Sequence, residues 1–480
     1  MKPAIAFFAL LPLSFGALLA AQDTRTVSEP AIPPVCATLP AQLTSSGRSL
    51  AEADEKKLDT NRIQKAIDHC GKGQGVLLQA RGAANAFLSG PLILKGGVAL
   101  IVDRGVTLYA SRDASLYQDF GLDKSPVHSP NNEHRGHTTR FDEPPQCGTV
   151  SASDHGCRPL ITVDRVFDAA VMGDGVIDGR GGEKILGKNV SWWDLAEQAR
   201  ADGRQQVPRL IVANYANNFT LYRITLKNSP NFHVTYDHGS GFTVWGLKID
   251  TPQRGARNTD GVDPGNGARN VTITHSFIRT GDDNVAIKGG PGGATNMTIS
   301  HNHFYWGHGM SIGSETDGGV NTIRVTDLSL DGPDNGIRIK SNGSRGGLTR
   351  NVVYDDVCIR NSPNPITLDT GYSAAGTLKG NSPPTMREVT LHNVRISGGG
   401  KFSFNGYDEK HRVAATLDGV QIVDAPVGYK YSLNHADLTL GPAATNLSIA
   451  AGEDSTLAGK PANGPVSGCA EKFLPFPANE

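Results

Sequence analysis

Aromatic residues make up only 6% of this 480-residue chain, and there are few tryptophans (4) and methionines (5). A core so poor in large rings is a weak basis for a helical bundle, whereas 57 glycines suit many short strands joined by turns. Charge of one sign is also missing. The formal net charge is -1, so no global field draws the chain to nucleic acid or a membrane surface, and any attraction for an anion must be local. No Cys-x-x-Cys pair or Cys/His ligand spacing occurs, which argues against a structural zinc site. Past residue 21 no apolar run is long enough to span a bilayer.

The N-terminus is different. Met1-Lys2 is followed by an apolar run from Ala4 to Ala21, broken by Pro12, Ser14 and Gly16 and closed by the small pair Ala20-Ala21. A basic start, a short apolar stretch and small terminal residues describe a secretory signal over residues 1–21, with export from the cell directly or through a periplasm. Six cysteines, Cys36, Cys70, Cys147, Cys157, Cys358 and Cys469, remain after such a cleavage. An even count in an exported chain favours disulfides, although six cysteines allow fifteen pairings. Cys36–Cys70 and Cys147–Cys157 would close local loops, and Cys358–Cys469 would tie the tail to the body.

Seven octapeptides share one pattern, starting at residues 219, 242, 271, 297, 323, 352 and 389. Their first, third, sixth and eighth positions are apolar, as Phe242, Val244, Leu247 and Ile249 illustrate; Ser276 and Asn302, both at position six, are the exceptions. A helix would place apolar residues at one, four, five and eight. Two period-two pieces with a phase slip mean two short strands joined at a bend. Such units, 23 to 37 residues apart, cannot bury their own faces and must stack. The expected fold is all-β: a single-stranded parallel β-helix, with Val98–Tyr109 and Phe167–Ile177 as earlier turns. A β-propeller would need longer repeats of four strands each. Asp59-Thr60 followed by Ile63, Ala66 and Ile67 predicts a short N-capped amphipathic helix covering the open N-terminal end. The expected layout is a signal over 1–21, an N-terminal segment with the capping helix over 22–75, and the β-helix over 76–480. Residues 121–157 break the rhythm and read as a loop insertion stapled by Cys147–Cys157.

Four polar clusters interrupt the repeats: Asn258-Thr259-Asp260, Gly281-Asp282-Asp283, Gly307-His308-Gly309 and Arg338-Ile339-Lys340. Asp282, His308 and Asp334 each lie four residues past an octapeptide, and Lys288 and Lys340 each lie ten past one. Equal offsets stack on one face of a solenoid, so the clusters converge on one groove. Singly, each is an ordinary turn sequence; it is their convergence that points to carboxylate chemistry on an acidic sugar polymer. His301 and His303 form a His-x-His without an evident third ligand and read as a solvated or stacked pair.

The ordered set resembles the signature of the polygalacturonases, glycoside hydrolase family 28. So do Asp178-Gly179-Arg180-Gly181-Gly182, Ser191-Trp192-Trp193, the run Asn228 to His233 and the run Gly309 to Glu315, which are similar to bacterial endo-acting members. The resemblance implies a right-handed parallel β-helix, an inverting mechanism, no metal or other cofactor, and polygalacturonate as the partner. Carried onto this sequence, Asp282 would be the general acid, Asp260 and Asp283 would hold and deprotonate the attacking water, and His308 would help keep the acid protonated. Arg338 and Lys340 would bind galacturonate carboxylates, with Asn258, Asn266 and Tyr372 as further sugar contacts. An inverting glycosidase needs an acid and a base far enough apart to admit water, and crowding three carboxylates favours keeping one protonated.

Rival readings remain. An exo-acting enzyme would result if the 121–157 insertion closed one end of the groove. A rhamnogalacturonan hydrolase fits Arg338-Ile339-Lys340 less well. Pectate lyases use calcium and an arginine base on a related fold, against which the three aspartates argue. A non-catalytic carbohydrate-binding β-helix would have no need of the acid-base set. A capped solenoid needs no partner subunit, so a monomer is expected.

Overall fold

The structure is a computed structural model that describes residues 22–46, 49–119, 145–152, 156–373, 381–424, 428–452, 454–460 and 462–478. The expected export signal and most of the 121–157 insertion lie outside the described residues.

Among the described residues, strands of successive coils pair in parallel, and only the short pair Val150–Ser151 and Arg204–Gln205 is antiparallel. In the larger sheet, of twenty strands, Thr220–Tyr222 pairs with Ser240–Trp245, and this with Ala268–Thr274; Ala294–Phe304, Val320–Asp331, Leu348–Arg360 and Thr385–Ser397 follow. A second sheet of eleven strands runs beside it through Ile211–Asn214, Val234–Asp237, Val262–Gly265, Val285–Ile287, Met310–Ile312 and Asn335–Lys340. The fold is a right-handed parallel β-helix, and the strand Val35–Pro40 already belongs to its larger sheet, paired with Gln74–Gln79.

The phase slip in the octapeptides has a backbone cause. Their fifth residues, Arg223, Gly246, His275, His301, Asp327, Asp356 and Asn393, all have φ between 50° and 66°. One left-handed residue per coil turns the strand and resets which side chains point inward. The third positions, Leu221, Val244, Ile273, Ile299, Val325, Tyr354 and Leu391, therefore form a fully buried column. Each contributes about 1.5–3 kcal/mol of burial, and truncating Ile299 to Ala would cost about 2–5 kcal/mol. The two polar exceptions are satisfied inside the core. Asn302 accepts the Ser276 amide at 2.9 Å and donates to the Ile273 carbonyl at 2.9 Å. His301 and His303 pack with tilted rings against His275 and Phe277, at 5.0 and 4.9 Å between ring centroids.

Helix α1, Thr60–His69, buries Ile63 and Ile67 against the first coils. Asp59 stands at its N-cap but does not cap it, contrary to the sequence expectation. Its carboxylate accepts instead from Arg62 and from the Leu88 amide at 3.1 Å, which ties the helix to the first coil. The sequence reading contained no second helix. Helix α2, Trp192–Asp202, starts with a capping box in which Ser191 and Asp194 exchange side-chain and backbone hydrogen bonds. Cys36 is joined to Cys70, Cys147 to Cys157 and Cys358 to Cys469.

Candidate active site

Three of the clusters lie in the turns that enter strands of the second sheet, and the fourth, Arg338-Ile339-Lys340, lies within its strand Asn335–Lys340. Val262 pairs with Val285, so Asp260 and Asp283 occupy the same position on adjacent coils. The backbone locks that alignment: Gly261 N–H donates to the Asp283 carbonyl and His308 N–H to the Asp282 carbonyl, both at 2.8 Å. Asn284 then fixes the next turn, donating to the Ile278 and Trp306 carbonyls and accepting the Gly309 amide at 2.9 Å. The glycines beside His308 are required. A Cβ on Gly309 would sit 1.9 Å from the Asn335 carbonyl oxygen, and Gly307 has φ 132°.

Asp283 is held by cations. Arg338 Nη2 and Ser311 Oγ donate to its Oδ1, and Lys340 Nζ donates to its Oδ2 at 2.9 Å. Burial would push this carboxyl up, but Arg338 and Lys340 win and hold it well below the ordinary carboxylate range. Asp260 has the opposite environment. It is 2% exposed, its Oδ1 makes no hydrogen bond, and its cation, Lys288, is 3.4 Å from Oδ2. Burial first, then the charges of Asp282 and Asp263, raise it well above the ordinary value. Lys288 is shared with Asp263, also at 3.4 Å, and with Glu315 at 3.8 Å.

Asp282 Oδ1 is 2.9 Å from His308 Nδ1, and His308 Nε2 is 3.3 Å from Asp334. Burial opposes charge on both partners, yet the pairing wins. His308 is raised to about 10 and Asp282 lowered to about 2. The sequence expectation is that the crowded acid stays protonated with help from His308; the close pairing with His308 draws the Asp282 carboxyl down. Burial and the neighbouring charges act upward on Asp260 instead. The reason is burial without a close cation at Asp260 against a close imidazolium at Asp282.

One atom each of Asp282, Asp283 and His308 lie within 4.8 Å of one another, a spacing that three metal ligands would share. Their charges are already balanced by His308, Arg338 and Lys340, which a cation would have to displace.

Asp260, Asp282, Asp283 and Lys340 face a polar cleft lined also by Asn258, Tyr372, Phe232, Lys288 and Arg345, whereas His308 and Arg338 reach it only through the aspartates they hold. Lys340 Nζ lies 4.9 Å over the Tyr372 ring. One wall is built by the Gly203–Val207 stretch after α2, the Cys157 loop and Ala199 of the helix. Arg257 fastens the helix to the Asn258-Thr259-Asp260 turn by donating to the Ala196 carbonyl at 3.0 Å. Asn266 is elsewhere. It follows the far end of Val262–Gly265, with Nδ2 3.0 Å from His238 and Oδ1 accepting the Gly292 amide, and it is not among the cleft's lining residues. Sequence reasoning gave no role to Asp263 or Glu315, and noticed Lys288 only by its offset; their alignment with Asp260 needs the register of the coils.

Comparison with known proteins agrees with this geometry. A family model, "Glycosyl hydrolases family 28", matches residues 115–435. The endo-polygalacturonase of Pectobacterium carotovorum subsp. carotovorum is 40% identical over 411 residues, 85% of this chain and 92% of that protein. A polygalacturonase of Ralstonia nicotianae is 38% identical over 494 residues, covering 92% of this chain and 86% of its own length. Among solved structures, the polygalacturonase from Erwinia carotovora ssp. carotovora superposes with a TM-score of 0.74 at 39% identity, over 87% of this chain and 99% of that one. An exopolygalacturonase from Thermotoga maritima shares the fold at a TM-score of 0.64 and 19% identity, over 91% and 94% of the two chains. The aspartate cluster, the coil register that assembles it and these matches together place the chain in glycosyl hydrolase family 28.

Proposed function

We propose that this chain is an exported endo-polygalacturonase that hydrolyses α-1,4 bonds of de-esterified pectin with inversion. The carrying observation is the set of three aspartates with opposed environments beside Arg338 and Lys340, in a cleft on the outside of the solenoid. Asp260 and Asp283 hold a water between them, and Asp283, ionised throughout the working range, orients it. Asp260, once ionised, takes its proton as the water attacks the anomeric carbon. The His308–Asp282 pair supplies the proton to the departing glycosidic oxygen through Asp282. A galacturonate carboxylate bound at Arg338 and Lys340 adds negative charge near Asp282, which moves the shared proton from Nδ1 of His308 onto the acid. The planar fork of Arg338 and the ammonium of Lys340 suit a carboxylate on every ring, and Tyr372 offers a face to the sugar. Asn258 contacts the sugar from the same turn as Asp260, whereas Asn266, held by His238 and the Gly292 amide outside the cleft, takes no part. No cofactor enters this scheme.

The signal over residues 1–21 directs export, and three disulfides suit an oxidising compartment. The mature chain then carries the capping helix and the β-helix, whose first strand is already Val35–Pro40, and acts as a monomer. The size profile of products early in digestion of polygalacturonate tests the reading. A ladder of saturated oligomers is the expected result; monomer or dimer alone would mean a groove blocked at one end and an exo-acting enzyme.

A further inference from the structure

The C-terminal tail runs back along the outside of the solenoid toward the cleft. Cys469 anchors it to Cys358, and Lys472 Nζ bridges Asp327 and Asp356 at 2.5 Å from each. Farther on, the Leu474 carbonyl accepts the Tyr305 hydroxyl at 2.9 Å. The last contact is the one that matters. The Phe476 ring lies 3.9 Å from the Arg279 guanidinium, whose other aromatic neighbour, Trp306, is at 4.6 Å. Phe476 also meets the Tyr305 ring edge-on at 5.3 Å.

Arg279 and Trp306 are the residues from which the catalytic turns leave. Asp282 follows Arg279 by three positions, and His308 follows Trp306 by two. The coils are joined at this point: Thr280 N–H donates to the Trp306 carbonyl at 3.2 Å, and Trp306 Nε1 donates to the Thr251 carbonyl at 2.9 Å. Arg279 Nε donates to Asp250 at 2.7 Å, so the guanidinium is fixed at its edge and covered by rings. Cys469 is far from the cleft in sequence and serves it only by pinning the strap.

We infer that the C-terminal strap is a positioning element for the acid: Phe476 clamps Arg279 against Trp306 and so holds the turns of Asp282 and His308 at hydrogen-bonding distance. This rests on the proposed role of Asp282. The strap supplies order rather than chemistry, because Phe476 contacts Arg279 and Tyr305 and not the carboxylates. Small displacements of an acid from its leaving group are costly in rate while substrate affinity, set by Arg338 and Lys340, is left alone.

The test compares Phe476→Ala, Phe476→Trp and Phe473→Ala on polygalacturonate, with Asp282→Asn alongside. Phe473 packs on Arg360, 4.3 Å away and coils removed from the acid, and so controls for a general loosening of the tail. Phe476→Ala should lower kcat about tenfold with KM changed less than about twofold, and should move the alkaline limb of the rate profile to lower pH. Phe476→Trp should restore both, and Phe473→Ala should leave both as they are. Normal kcat and an unmoved limb in Phe476→Ala would overturn the inference, as would equal losses in Phe476→Ala and Phe473→Ala that track melting temperature. If Asp282→Asn kept its turnover, the acid assignment would fall and the inference with it. With Asp282→Asn inactive and Phe476→Ala normal, the inference falls alone.

Discussion

Asp260 and Asp283 stand at the same position of neighbouring coils, yet their surroundings drive them in opposite directions. Arg338 and Lys340 keep Asp283 charged, while Asp260 lies buried with one oxygen unbonded and a longer contact to Lys288. A shared water would therefore meet one permanent acceptor and one that ionises only at higher pH.

Asp282 is the residue on which the proposed chemistry depends. Asp282→Asn should fold normally and bind polymer while turnover falls by several orders of magnitude, since acid catalysis and positioning are both removed. Single-turnover kinetics with a binding measurement on the same protein would check this; near-normal turnover would remove Asp282 from the acid role.

Lys340 reaches both the substrate side and Asp283. Lys340→Ala leaves a buried carboxylate short of a partner, so it should destabilise the fold by about 3 kcal/mol as well as raise KM. Denaturant melts and steady-state kinetics would separate the two effects. An unchanged KM would count against a role in holding the substrate carboxylate.

The His308–Asp282 pair sets a window of stability. His308 is raised from 6.5 to about 10, so its contribution is full below about 6.5 and lost as pH rises through about 10. Asp282 is lowered from 3.8 to about 2, so its contribution is present above 3.8 and lost as pH falls through about 2. Melting temperature against pH should show His308→Asn losing stability most between those limits. The alkaline limb of activity should also move to lower pH in this variant, because Asp282 alone releases its proton sooner than the pair.

Lys288 is the cation that opposes the rise in Asp260. Lys288→Met should push Asp260 higher and move the acid limb of kcat/KM to higher pH. Asp263→Asn removes a neighbouring negative charge and should move the same limb the other way. Identical limbs in both variants would show that Asp260 is not the group that must ionise.

Much of this was legible before any coordinates. The octapeptides carry the solenoid in their apolar positions because each strand pair alternates inward and outward residues, and the phase slip marks the left-handed fifth residue. The clusters carry the site because equal offsets in stacked coils become neighbours in space, as the Asp282 carbonyl and His308 amide show. Helix α2 was missed although its sequence carries both signals: a capping box, and Trp192, Leu195, Ala196 and Ala199 at helical spacing, which are buried.

Residue order alone thus determined the fold class, the cysteine count and the four clusters that converge, since these follow from local periodicity and spacing; it did not determine that Asn266 stays apart or that Asp263 and Glu315 share Lys288 with Asp260. Only the tertiary structure decided which way each carboxyl is pushed. That depends on burial and on distances between charges drawn from different coils: Lys288 against Asp260, Arg338 and Lys340 against Asp283, His308 against Asp282. No spacing in a sequence encodes that Asp283 meets two cations, Arg338 and Lys340, while Asp260 shares Lys288 with Asp263 and Glu315, and that difference separates the two aspartates.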